Sequence, residues 1–154
     1  MTKKLVESTK QEVIQVGWRE WLGLPQLGIN RIKAKIDSGA KTSALHAFEI
    51  NPFKKEGKHY IQFKLHPKQR RTDIVVSCVA AVADVRWITD SGGHRERRYV
   101  IKTLLALAGE VWPIELTLTN RDNMNFRMLL GRTAMKHRIL INPGLSFNTS
   151  KKKK

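Results

Sequence analysis

The chain of 154 residues contains one cysteine, Cys78, which excludes an intrachain disulfide and a cysteine-based zinc site. Acidic residues are few, 13 against 29 lysines and arginines, so the formal net charge is +16. Aromatic residues make up only 7%. They are not interleaved with the basic clusters Lys68–Arg71, Arg95–Arg98 and Lys151–Lys154 as in a single-strand nucleic-acid platform, and no RNA-module signature occurs. No apolar run approaches the roughly 18–20 residues of a membrane span. The opening Met1-Thr2-Lys3-Lys4-Leu5-Val6-Glu7 lacks an apolar signal core. A reducing cytoplasm is the expected location.

What is present is a globular composition, 41% hydrophobic and 27% charged, in a length suited to one domain. The domain is expected over residues 11–148, with loose polar residues 1–10 before it and a disordered basic tail, 149–154, after it. A surface of +16 raises encounter rates with polyanions and makes their binding salt-dependent, without naming the partner.

Short β patterns follow one another. Val13–Val16 leads into Gly17. In Ile32–Ile36 the residues Ile32, Ala34 and Ile36 share a face, and Tyr60–Leu65 alternates before Pro67. Val75–Val79 reads as a buried strand, with Cys78 as an inert core thiol. Val85–Ile88 and Arg98–Ile101 flank the turn Asp90-Ser91-Gly92-Gly93, and Leu104–Leu107 and Val111–Thr119 flank Ala108-Gly109-Glu110, so two hairpins are expected. Met128–Leu130 is one more strand. Helical signal is confined to a turn or two at Thr133–Arg138 and a turn at Ser43–Phe48. Residues 51–58 and 67–71 read as surface loops. The sum is an all-β, closed or nearly closed barrel with one short C-terminal helix.

Chemistry concentrates at Ile36-Asp37-Ser38-Gly39-Ala40, where an alternating strand ends in an acid, a small hydroxyl and a glycine. Gly39 permits a sharp turn, Ser38 can hydrogen-bond the backbone, and Asp37 is then fixed by a loop rather than by its own rotamers. Taken alone, Asp-Ser-Gly is also an ordinary turn. With Ala40 and Ser43, however, the segment resembles the active-site loop of retropepsin-like aspartic proteases. Leu129-Leu130-Gly131-Arg132, followed by a short helical stretch, resembles that group's second motif. Gly17-Trp18-Arg19-Glu20-Trp21-Leu22, Leu24-Pro25, Leu27-Gly28-Ile29 and Ala40–Ala47 extend the resemblance to a bacterial retropepsin-like family often labelled "ATP-dependent zinc protease".

The resemblance implies a homodimeric aspartic peptidase, a hydrolase with Asp37 as its catalytic residue. Two Asp37 carboxylates would share a proton and activate a water between them. It implies that Ser38, Gly39, Ala40 and Ser43 build the loop, that Leu129, Leu130, Gly131 and Arg132 support it, and that Asp90, Ser91, Gly92 and Gly93 form a flap over substrate. Elements near Val13, Ile139–Asn142 and Leu145–Phe147 would meet the second copy. Lys41 stands where viral enzymes carry the acid that pairs with the arginine of the second motif. Arg132 therefore needs another acid, with Asp122 and Glu20 as candidates. The family is also associated with ATP-grasp ligases that add glutamates to proteins, so Arg86, Arg95, Arg97 and Arg98 are candidates for holding an acidic peptide.

Despite the family label, the five histidines include no H-E-x-x-H and no pair at i, i+4, and no G-x-x-x-x-G-K-[ST] occurs. Neither metal nor cofactor is expected. The rival reading is a catalytically idle basic module that binds an acidic protein or RNA.

Overall fold

The computed structural model describes residues 13–68, 72–90, 92–120 and 125–150. Alternating apolar and polar residues make most of this chain strand: β1 (Ile14–Val16), β2 (Arg19–Leu24), β3 (Ile29–Ile36), β4 (Ser43–His46), β5 (Phe48–Lys55), β6 (Lys58–Leu65), β7 (Val76–Ala81), β8 (Asp84–Thr89), β9 (Arg95–Leu107), β10 (Glu110–Thr119), β11 (Met128–Leu130) and β12 (Ile139–Ile141). One short helix, α1 (Arg132–Met135), follows β11.

The main sheet runs β10-β4-β11-β3-β2-β9-β8, and a further pairing of β9 with β10 joins its strands into a ring, with β8 attached outside on β9. This is the expected retropepsin-like all-β fold. The inward sides of the alternating strands fill it: Ile32, Ala34 and Ile36 from β3, Leu105 from β9, and Ile114, Leu116 and Leu118 from β10. Helix α1 is pinned to β10 where Trp112 Nε1–H donates to the Ala134 carbonyl, 2.9 Å away. Strands β5, β6 and β7 form a separate antiparallel sheet, and β1 and β12 pair in parallel.

Several local expectations are corrected. Ser43–His46 is a strand, not a helical turn, because β10 on one side and β11 on the other take up its backbone groups. Residues 51–58 are a hairpin of β5 and β6 rather than a loop. The strand β7 starts at Val76 and is half-exposed, with Val79 turned outward and Cys78 inward, and Val75 just before it is exposed. Thr149, placed by the sequence in a loose tail, donates from its N–H and its hydroxyl to Glu20 Oε1, at 3.1 and 2.9 Å. Apart from these corrections, two of the elements expected to meet a second copy, β1 and β12, pair with each other in register from Ile14–Ile139 to Val16–Ile141, which does not test that expectation. Residues 1–12 and 151–154 lie outside the described residues, as do Arg70 and Arg71 of one basic cluster. Among the described residues no helix is long and apolar enough to cross a membrane.

Candidate functional site

β3 delivers Asp37. Its last residue, Ile36, pairs with Leu130 of β11, and Asp37 N–H then donates to the Leu130 carbonyl at 2.9 Å. Beyond that point the chain must turn. Asp37 Oδ1 accepts Gly39 N–H at 3.0 Å, and Ala40 N–H returns to the Asp37 carbonyl at 3.2 Å. The turn was expected to be held by the Ser38 hydroxyl; the bond that closes it goes to the Asp37 carboxylate, which is thereby held by its own side-chain-to-backbone turn. Gly39 makes this turn without entering the left-handed region. Its contribution is a backbone N–H close to Asp37.

The two motifs, far apart in sequence, form one construction. β11 lies between β3 and β4, parallel to the first and antiparallel to the second. Ser43 is fully buried, and its Oγ accepts Gly131 N–H at 2.9 Å. Arg132 N–H donates to the Ala40 carbonyl at 2.7 Å and Thr133 N–H to the Lys41 carbonyl at 3.0 Å. A Cβ on Gly131 would stand 2.6 Å from the Thr42 carbonyl carbon, so only glycine admits this approach.

Among the described residues no acid pairs with Arg132. Its Nη1 donates to the Ser38 carbonyl at 2.9 Å, clamping the loop from outside. Lys41 in the position of the viral acid therefore leaves Arg132 with a backbone acceptor. Glu20 is committed elsewhere: it is fully buried and accepts from Gly17, Asn148 and Thr149. Asp122 lies outside the described residues.

The residues expected to form a flap lie at the tip of the hairpin of β8 and β9. Asp90 ties its tip together, accepting Gly92 and His94 N–H on Oδ1 at 2.9 Å each, while Gly93 N–H reaches the Asp90 carbonyl at 3.0 Å. Ser91 lies outside the described residues. The four arginines of this region divide in two. Arg86 is spent within the chain, donating to both Glu115 oxygens at 2.6 and 3.0 Å and to Asp84 at 2.6 Å. These bonds hold the carboxyls of Glu115 and Asp84 below their ordinary pKa values and raise that of Arg86. Arg98 is buried, with Nε on Glu96 at 2.9 Å and Nη1 on Thr117 at 3.4 Å. As clamps for an outside carboxylate, Arg86 and Arg98 are therefore already occupied. Arg95 and Arg97 are exposed, and Arg95 rests 4.8 Å over the ring of the exposed Trp87.

Among the described residues no group of three or more histidine, cysteine, aspartate or glutamate side chains could hold a metal ion. His46 is buried in β4 and His66 stacks on Phe48 at 4.4 Å. Burial pushes the Cys78 thiol up to about 11.

An all-β ring whose Asp-Ser-Gly loop is braced by a Leu-Leu-Gly-Arg strand end defines a retropepsin-like protein. A family model described as RimB-like, "Retropepsin-like aspartic endopeptidase RimB", matches residues 15–152, and the chain belongs to that family. A crystal structure of a Legionella pneumophila protein of unknown function is similar, with a TM-score of 0.75 and 26% identity, covering 90% of this chain and all of that one. Curated relatives carry a different name. A "Probable alpha-L-glutamate ligase" of Shewanella pealeana is 49% identical over 86% of this chain, and one of Desulfotalea psychrophila is 50% identical over 84%. A third, of Parasynechococcus marenigrum, is 47% identical over 93%. The chain spans under a third of their length, 28–29%.

These names overturn the expectation of a hydrolase that cuts peptides between two Asp37 carboxylates. Relatives sharing about half of their aligned residues with this chain are named as ligases. The second Asp-Ser-Gly sequence makes a similar local turn, Asp90 Oδ1 accepting Gly92 N–H at 2.9 Å, but it does so at the tip of the β8–β9 hairpin, not at the end of a strand paired with β11.

Proposed function

We propose that this chain serves α-L-glutamate ligation in the cytoplasm, as the module that holds the acidic peptide being extended. The observation that carries the reading is the 47–50% identity, over 84–93% of the chain, with proteins named for that activity. Because the chain corresponds to less than a third of those proteins, the proposal concerns what this module contributes and not the whole reaction. Each added glutamate brings one more negative charge. A growing α-glutamyl peptide is a polyanion, and a chain of formal charge +16 is its electrostatic complement.

In this reading Asp37 has a binding role. It is a half-buried carboxylate held at Oδ1 by Gly39 N–H, beside exposed Ser38, Gly39 and Lys41. It receives the α-ammonium group of a glutamate, and neighbouring cations receive the carboxylates. Arg95 and Arg97 are the flap arginines with guanidinium groups available for this.

The test is titration calorimetry of the full chain with hexa-α-glutamate and with its uncharged glutamine counterpart, at low and high salt. The expected result is binding of the acidic peptide only, weakening as salt rises. Equal binding of both peptides, or binding of neither, overturns the reading.

A further inference from the structure

We propose that the acidic peptide lies along the outward face of β2 and β3, a track of cations that runs toward the Asp37 loop. The inference rests on the ligation reading above and adds the place where the peptide is held.

Strand alternation builds the track. On β3, Ile32, Ala34 and Ile36 point into the core, so Arg31, Lys33 and Lys35 point out. On β2, Glu20 and Leu22 are buried and Arg19 and Trp21 face outward. The antiparallel register sets Arg19 against Lys35 and Trp21 against Lys33. One sheet face therefore carries four cations around one tryptophan. The only carboxylate in either strand, Glu20, is buried on the other side. Among the described residues none of these four cations is ion-paired, whereas Arg86 and Arg98 are neutralised within the fold.

Aromatic rings hold the cations in place. Arg31 lies 4.2 Å over Trp21, and Arg19 lies 4.6 Å from the Trp18 ring and 4.8 Å from that of Phe147. Lys33 sits 5.2 Å from Trp21 and 5.7 Å from Phe147. A guanidinium stacked on a ring keeps its N–H edge for an oxyanion, and its ordering is already achieved before the ligand arrives.

The geometry favours an extended acidic peptide over single-stranded nucleic acid. Trp21 and Phe147 stack on each other at 5.8 Å, and cations cover them further, so the rings are not an open platform for bases. Same-face residues on β3 recur at about 6.6–6.8 Å, the repeat of alternate side chains in an extended peptide. At one end the track leads to Asp37, two residues beyond Lys35. At the other, Arg31 lines a cleft of about 380 Å³ together with Asn30, Gly23 and Thr149.

The test compares R31Q/K33Q/K35Q with K54Q/K55Q/K58Q, a triple of equal charge loss on the exposed β5–β6 hairpin. Hexa-α-glutamate and oligouridine RNA are the probes, and thermal unfolding verifies each fold. The track variant should bind hexa-α-glutamate about tenfold or more weakly, and the hairpin variant should stay within about twofold of wild type. Equal losses in both variants, or unchanged affinity in the track variant while wild type binds, overturn the track and leave the ligation reading standing. Loss of RNA binding alone from the track variant assigns the face to nucleic acid and overturns it too. Absence of peptide binding by wild type overturns both proposals. Amide chemical shifts of wild type should move at residues 31–35 on adding the peptide. Shifts confined to residues 92–98 would overturn the track independently of any variant.

Discussion

Gly131 N–H donates to Ser43 Oγ across 2.9 Å, and that bond joins the two motifs of the candidate site. Both ends are buried, so losing the acceptor strands a backbone donor. Ser43→Ala should cost about 1–3 kcal/mol in urea unfolding. Gly131→Ala should cost more, because its methyl meets backbone at Thr42 rather than a movable side chain.

Asp37→Asn should leave stability within about 0.5 kcal/mol of wild type, because an amide oxygen can still accept Gly39 N–H. Asp37→Ala removes the acceptor and should lose about 0.5–1.5 kcal/mol. Thermal unfolding of both variants checks the pair. If asparagine proved as costly as alanine, the charge rather than the turn would hold the loop.

Much of this site was legible because its signals are local. Asp37-Ser38-Gly39 and Gly131-Arg132 are turn and strand-end chemistry, readable from neighbours in sequence. The alternation of Ile32, Ala34 and Ile36 shows which face of β3 is buried. The partner of Arg132 was not legible, because a backbone carbonyl such as that of Ser38 leaves no compositional trace. β4 was missed since all of its residues are buried and none alternates. β5 carries Asn51 and Pro52, which read as a loop, and it tolerates them at the edge of a small sheet. The cation track depends on the register of β2 against β3, which no single strand reveals.

Glu20 ties the end of the described chain to its beginning. It accepts Gly17 N–H at 2.7 Å, Asn148 N–H at 2.8 Å, and both the N–H and the hydroxyl of Thr149. Glu20→Ala should lose about 2–4 kcal/mol and make residues 145–150 a site of early proteolysis. Glu20→Gln keeps two acceptor sites on one oxygen and should lose less. Limited proteolysis with mass spectrometry reads the difference.

The cluster of Arg86, Asp84 and Glu115 should shape the acid limb of stability. Both carboxyl pKa values are lowered in the fold, chiefly by hydrogen bonds from Arg86. A depressed carboxyl contributes fully above its unfolded value, about 4. Its contribution is lost as pH falls through the folded value. Arg86→Gln should therefore flatten the decline in stability below about pH 4. An unchanged slope would show that other carboxyls govern acid unfolding.

Cys78 should shape the alkaline limb in the opposite sense. Burial raises its thiol from 9.0 to about 11, since a thiolate beneath β7 would lose its hydration. The folded chain then keeps the proton over a range where the unfolded chain releases it. Stability is complete below pH 9 with respect to this group and falls between about pH 9 and 11. Cys78→Ala should remove that part of the decline at the cost of a small packing loss, seen as a shallower slope in denaturant midpoints against pH. The same burial keeps the thiol unreactive, so a disulfide reagent at pH 8 should label native chain far more slowly than chain in urea. Comparable labelling rates would mean that β7 opens readily from the core.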